Sequence, residues 1–175
     1  MKIKGRAFLL LDEKGELIKD IDTDQIYHNA YLYVTDPTEM AKYALGNLKG
    51  YEDFPKKVKK GDILIAGHNF GAGSSRQHAV SCFIALGIGA IVAPSFGAIY
   101  KRNAINSALP ILECPEIGNY LKKEKIKHLD LIEIEFEEGM IFLQSGEKID
   151  CKKPSKVQLE ILKAGGLIKY GKKLI

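Results

Sequence analysis

The chain has 175 residues, the size of one domain, expected to span residues 1–175 and to fold on a core without disulfides or a structural metal. Hydrophobic residues make up 46% and charged residues 27%, which excludes a disordered chain, and no apolar run approaches the roughly 20 residues of a bilayer span. The net charge of +4 comes from scattered lysines, and the densest run, Lys56-Lys57-Val58-Lys59-Lys60, has no aromatic interleaving, so neither nucleic acid nor membrane is expected as a partner.

The first residues, Met1 to Arg6, lack the apolar stretch and cleavage site of a signal peptide, so a cytoplasmic protein is expected. Cys82, Cys114 and Cys151 have no Cys-x-x-Cys spacing, and no set of metal or cluster ligands is expected within the chain. Among 26 basic residues only Arg6, Arg76 and Arg102 are arginines, the side chain best suited to gripping a carboxylate with two parallel hydrogen bonds.

In chain order, residues 2–10 read as a strand and Asp12 to Gly15 as a turn. Asp20 to Ile26 is short and polar and leads into a loop through Pro37. Thr38 to Leu48 has helical spacing, with Asp36 or Thr38 at its N-cap. Asp62 to Ala66 is a short apolar strand, Gly67 to Gly73 a glycine-rich loop, and Ser75 to Leu86 a helix closed by Gly87. Ile88 to Ala93 completes a βαβ unit with parallel strands. Ser95 is expected to cap a helix through Asn106, and Pro110 to Leu112 reads as a brief third strand. Leu131–Phe136, Met140–Gln144 and Lys148–Cys151 read as antiparallel strands, and Ser155–Ala164 as a last helix ended by Gly165-Gly166. The fold class is α/β: a parallel βαβ core with flanking antiparallel strands.

The segment Gly67-His68-Asn69-Phe70-Gly71-Ala72-Gly73-Ser74-Ser75-Arg76-Gln77-His78 leaves a parallel strand and enters a helix, a setting that favours an anion. It lacks the Gly-Lys-Ser/Thr of a phosphate loop. Arg76 stands where a dinucleotide fingerprint needs Gly or Ala, and no Gly follows either serine at the spacing of a nucleophile elbow. Two adjacent hydroxyls and one arginine remain, a set that can hold a carboxylate. The competing reading is a geometric turn with a serine cap. Asp22-Thr23-Asp24 can turn two carboxylates to one side, or serve as caps. His28, His68, His78 and His128 have no metal-ligand spacing and read as surface or packing residues.

The chain resembles the small subunits of 3-isopropylmalate dehydratases, within the aconitase superfamily. The resemblance rests on Asp22-Thr23-Asp24-Gln25-Ile26, Tyr31-Leu32, Gly61 to Gly67, Asn69 to Arg76, Ser95-Phe96 and Arg102 to Asn106. It implies a swivelling β/β/α domain that closes over a large subunit carrying a four-iron–four-sulfur cluster. That cluster would belong to the large subunit and not to this chain. It further implies a hydro-lyase that moves a hydroxyl between adjacent carbons by dehydration and rehydration, in leucine biosynthesis.

Under the resemblance, Ser74 is the base that takes the carbon-bound proton and Asp24 lies beside the cluster end of the pocket. Ser75 and Arg76 bind a substrate carboxylate. Tyr31, Leu32, Tyr33 and Val34 form the loop facing the variable end of a small hydroxy-diacid. Relatives acting on a triacid carry an Arg in that loop. Here there is none between Arg6 and Arg76, which suits an apolar isopropyl group. The alternatives are the small subunit of a homoaconitase, a hydro-lyase acting on a methylated malate, and a non-catalytic anion-binding assembly domain. A homo-oligomer of the isolated chain stays open.

Overall fold

The computed structural model describes residues 1–175. Its centre is one seven-stranded sheet in the order β4-β3-β2-β1-β5-β6-β7. β1 (Lys2–Leu9) lies in the middle. Its second half pairs in parallel with β2 (Ile63–Ile65), followed outward by parallel β3 (Ala90–Ala93) and β4 (Ile111–Glu113). Its first half pairs antiparallel with β5 (Leu131–Glu135), which continues into β6 (Met140–Leu143) and β7 (Lys148–Asp150). The strand chemistry follows this division. The inner parallel strands β2 and β3 are buried throughout, whereas β5 and β6 alternate between buried and partly exposed residues.

The sheet curls until its edges meet. Lys152 N donates to Glu113 O at 2.7 Å, and the Glu113 carboxylate takes Lys101 and Lys152, each at 3.0 Å. Burial acts to raise the Glu113 carboxyl, and the two ammonium groups outweigh it, so the group is held below its ordinary range.

Period-2 alternation divides the core between the faces of the parallel half. Phe8, Leu64, Ala66 and Ile91 point to one face, under α4 (His78–Leu86) and α5 (Ala98–Asn106). Ala7, Leu9, Ile63, Ile65 and Val92 point to the other, with the antiparallel strands and α6 (Ile117–Lys122). Arg6 grips buried Asp62 through two hydrogen bonds of 2.8 and 2.7 Å, a structural use of one of the three arginines. Arg102 is exposed on α5.

Three expected helices differ in extent. The one expected over 38–48 is only α2 (Pro37–Ala41), capped by Asp36. Leu45 N donates to Ile26 O at 2.8 Å and Leu45 takes a positive φ of 56°, so a tertiary bond replaces the helical one. The helix expected from Ser75 begins at His78, because residues 74–76 are held by contacts to neighbouring segments. Ser95 caps nothing. It lies in an extended stretch where Phe70 N donates to Ser95 O and Gly97 N to Phe70 O, so α5 starts at Ala98 with Gly97 as N-cap. The short helices α1 (Thr23–Ile26), α3 (Phe54–Lys57), α6 and α8 (Leu167–Lys172) lie where no helix is expected. α7 (Lys156–Ala164) runs from a Ser155 capping box to Gly165, as the sequence implies.

Candidate active site

The glycine-rich loop leaves the carboxyl end of β2 and lies beside the Asp22–Asp24 segment. Gly71 N donates to Ile21 O at 2.8 Å and Thr23 N to Ala72 O at 2.9 Å, and Asp22 bridges Ala72 in parallel. Thr23 Oγ1 donates to Ser74 O at 3.0 Å. These bonds carry Asp24 to Ser74–Arg76, although the segments lie about fifty residues apart in sequence. The Asp22–Gln25 capping box turns the chain into α1 at this point and fixes Asp24 on its first turn.

The loop is seated on α5. Gly71 has a φ of +76°, and a Cβ there would fall 2.2 Å from Cγ of buried Tyr100. A Cβ on Gly97 would meet Gly71 O at 2.6 Å. Only glycine lets these backbones approach so closely. Asn103, one turn further along α5, donates Nδ2 to Ser75 Oγ at 3.2 Å.

Ser74 and Ser75 are exposed, and Arg76 is three-quarters or more buried, at 16%. Backbone N–H groups from Ala72 to Gln77 donate to nothing within the chain. They surround two hydroxyls and a guanidinium just ahead of a nine-residue helix, which makes a cradle for an anion. Arg76 Nη1 donates to Asp24 Oδ1 at 2.5 Å and to Tyr27 O at 3.1 Å, while Nε and Nη2 have no partner in the chain. Asp24 also accepts from Asn29 N at 3.1 Å and from Asn47 Nδ2 at 3.0 Å. The Arg76 hydrogen bond is the main reason the Asp24 carboxyl lies below its ordinary range; burial opposes it, and the Asn29 amide assists. Arg76 is thus aimed by a carboxylate and a carbonyl, and its remaining edge is available to a ligand.

Tyr31 to Thr35 pass beside this group. Tyr31 stacks on Tyr43 with ring centroids 4.0 Å apart, and Tyr33, 76% exposed, points outward. Val34 is half-buried, and its carbonyl contacts His78. The nearby Lys42 ammonium is taken by Glu39 at 2.5 Å.

Sequence reasoning marked Ser74, Ser75, Arg76, Asp24 and the 31–34 loop, and the fold gathers them along one edge. It did not single out Asn47 or Tyr27, and it read His78 as a surface or packing residue, because no periodicity links residues brought together only by tertiary structure. None of the five principal cavities includes Ser74, Ser75 or Arg76. The group is an open half-site on the surface. No three His, Cys, Asp or Glu side chains converge as metal ligands, and Cys82 and Cys114 are buried with Cys151 half-buried.

The parallel half of the sheet thus carries at its carboxyl end a Ser-Ser-Arg loop whose amides and hydroxyls face an open side. The chain belongs to the aconitase C-terminal domain family, which matches residues 16–116. It is 42% identical to the methanogen homoaconitase small subunit of Methanocaldococcus jannaschii over 174 residues, covering 99% of this chain and 93% of the relative. It is 41% identical to the 3-isopropylmalate dehydratase small subunit of Aquifex aeolicus over 173 residues, covering 98% and 95%. A crystal structure of 3-isopropylmalate dehydratase from Methanocaldococcus jannaschii superposes with a TM-score of 0.84 at 40% identity, covering 99% of this chain and 95% of that one. No helix of the chain is long and apolar enough to cross a membrane.

Proposed function

We propose that the chain is the small subunit of a 3-isopropylmalate dehydratase, a hydro-lyase that interconverts 2- and 3-isopropylmalate with a large subunit. The observation that carries the reading is the open half-site: unpaired amides from Ala72 to Gln77, the Ser74 and Ser75 hydroxyls and the free edge of Arg76, outside the five principal cavities. Such a group can bind a carboxylate, but it needs a second wall to exclude water.

In this reading Ser75 and the Arg76 edge hold a substrate carboxylate and orient the carbon that loses a proton. Ser74 takes that proton. A serine hydroxyl is a weak acid, so its alkoxide form requires a strongly positive, dry surrounding. The amide cradle, the α4 N-terminus and Arg76 supply the potential, and closure against the partner supplies the dryness. Asp24 keeps Arg76 in place. The chain's own residues do not fit an iron–sulfur cluster, because Cys82 and Cys114 are buried, only Cys151 lies beside Cys114, and no third ligand converges on that pair. A four-iron–four-sulfur cluster held by the large subunit would act as the Lewis acid for the departing hydroxyl.

The two relatives, nearly equal in identity, carry different substrate names, so overall similarity does not choose between them. The choice rests on the 31–35 loop, which offers tyrosines and aliphatic groups, and whose neighbour Lys42 is already paired. An additional carboxylate would meet no free cation there, whereas an isopropyl group would lose nothing. The test is to reconstitute the chain with its large subunit and compare isopropylmalate, citramalate, citrate and homoaconitate. The expected result is highest kcat/KM on isopropylmalate. Preference for homoaconitate overturns the substrate assignment, and activity on none of them leaves the anion-binding assembly domain as the better reading.

A further inference from the structure

Besides the local backbone bonds of Tyr31 and Leu32 to residues 28 and 29 and the edge contact of Tyr31 with His28, the 31–35 loop has three attachments. The Tyr27 hydroxyl donates to Tyr31 O at 3.2 Å, and Tyr31 stacks on Tyr43. Both act at the start of the loop. The third is at its far end, where His78 Nε2 lies 3.0 Å from Val34 O across 44 residues of sequence. A carbonyl oxygen only accepts, so Nε2 carries the proton in this contact and the imidazole is the donor. The ring also packs on Tyr27 with centroids 5.1 Å apart, and Tyr27 O in turn accepts from Arg76 Nη1 at 3.1 Å.

His78 is the first residue of α4 and the second after Arg76. The same short stretch therefore grips the proposed carboxylate end of the substrate and, two residues later, the loop assigned to its variable end. A shift of the loop along α4 would change the length and width of the space between them. Without His78, the Val34 end of the loop would have no side-chain hydrogen bond of its own and would be held only through its neighbours, Tyr31 on one side and α2, which packs against α4, on the other.

We propose that His78 is a positioning residue that sets discrimination among hydroxy acids by fixing the 31–35 loop at one distance from Ser74–Arg76. It touches no substrate. Its selectivity consequence rests on the functional reading above, whereas the tether itself is a property of the chain.

Two measurements separate these claims. Hydrogen exchange on the purified chain should rise about tenfold at residues 32–35 in His78→Leu, with β2 and β3 unchanged. His78→Gln, whose amide can still donate to Val34 O, should restore protection. Unchanged exchange at 32–35 overturns the tether. On the reconstituted complex, the ratio of kcat/KM for isopropylmalate over citramalate should fall roughly five- to tenfold in His78→Leu, chiefly through KM, and be retained in His78→Gln. Equal losses on both substrates, leaving the ratio intact, overturn the selectivity role and leave a purely structural histidine. A wild-type complex inactive on every hydroxy acid contradicts the functional reading and the selectivity claim with it, while the exchange result still decides the tether.

Discussion

Arg76 has its Nη1 committed to Asp24 and Tyr27 O and its other edge open, so the single aspartate decides where the free edge points. Asp24→Asn removes the charge but keeps the shape. The pair is partly exposed, with Asp24 at 38%, and such pairs contribute about 0–1 kcal/mol, so the melting temperature should move little. Activity of the reconstituted enzyme should suffer more, by about tenfold in kcat/KM, because a guanidinium released from one partner samples unproductive directions. Comparable losses of stability and activity would contradict the positioning role. The sign of the pH effect follows from the lowered Asp24 carboxyl. Its contribution is present above the ordinary value of 3.8 and is lost only as the pH falls through the still lower value in the folded chain. At neutral pH the pair is intact. The glycines, paired serines and scarce arginine made this centre legible in the sequence. The Asp24–Arg76 bond was not, since Arg76 alone suggested a fork with both arms free.

At the scale of elements, the strands were legible because their apolar runs are short and bounded, and α7 because Ser155, Gln158 and Gly165 mark both ends. Ser155→Ala should cost about 1 kcal/mol in a denaturant titration, the usual value of a side-chain cap. The misjudged helix starts have one physical origin. At Ser75 and Ser95 the cap-like residues serve tertiary contacts, to Asn103 and to the Phe70 backbone, and the helices begin three residues later. Periodicity cannot report such contacts, and α1, α3, α6 and α8 are too short to show a period. The loop's seat on α5 depends on Gly71. Gly71→Ala combines a left-handed φ with a collision against buried Tyr100, for a loss of about 2–4 kcal/mol. A loss below 0.5 kcal/mol in the same titration would show that the loop is not held as described.

For the whole molecule, the curled sheet depends on its seam, where Glu113 on β4 meets Lys101 and Lys152. Its carboxyl is lowered despite burial, so the clasp stabilises the fold above the ordinary value of 4.5 and is lost as the pH falls through the folded-state value. Glu113→Gln should lower the melting temperature by a few degrees at pH 7, and the gap from wild type should close as the pH falls below the ordinary value through the folded-state one. A gap independent of pH would assign the effect to packing instead. The open half-site gives the second global consequence: the purified chain alone should turn over no hydroxy acid, since it has neither the second wall nor ligands for a cluster. The central claim is that Ser74 removes the carbon-bound proton once the site is closed. The most direct measurement is deuterium incorporation from D2O into isopropylmalate by the reconstituted complex, wild type against Ser74→Ala, with assembly checked by gel filtration. The account predicts that the mutant assembles normally and incorporates deuterium at least about a hundredfold more slowly, the usual scale for loss of a general base. Near-normal incorporation by an assembled Ser74→Ala complex would contradict it.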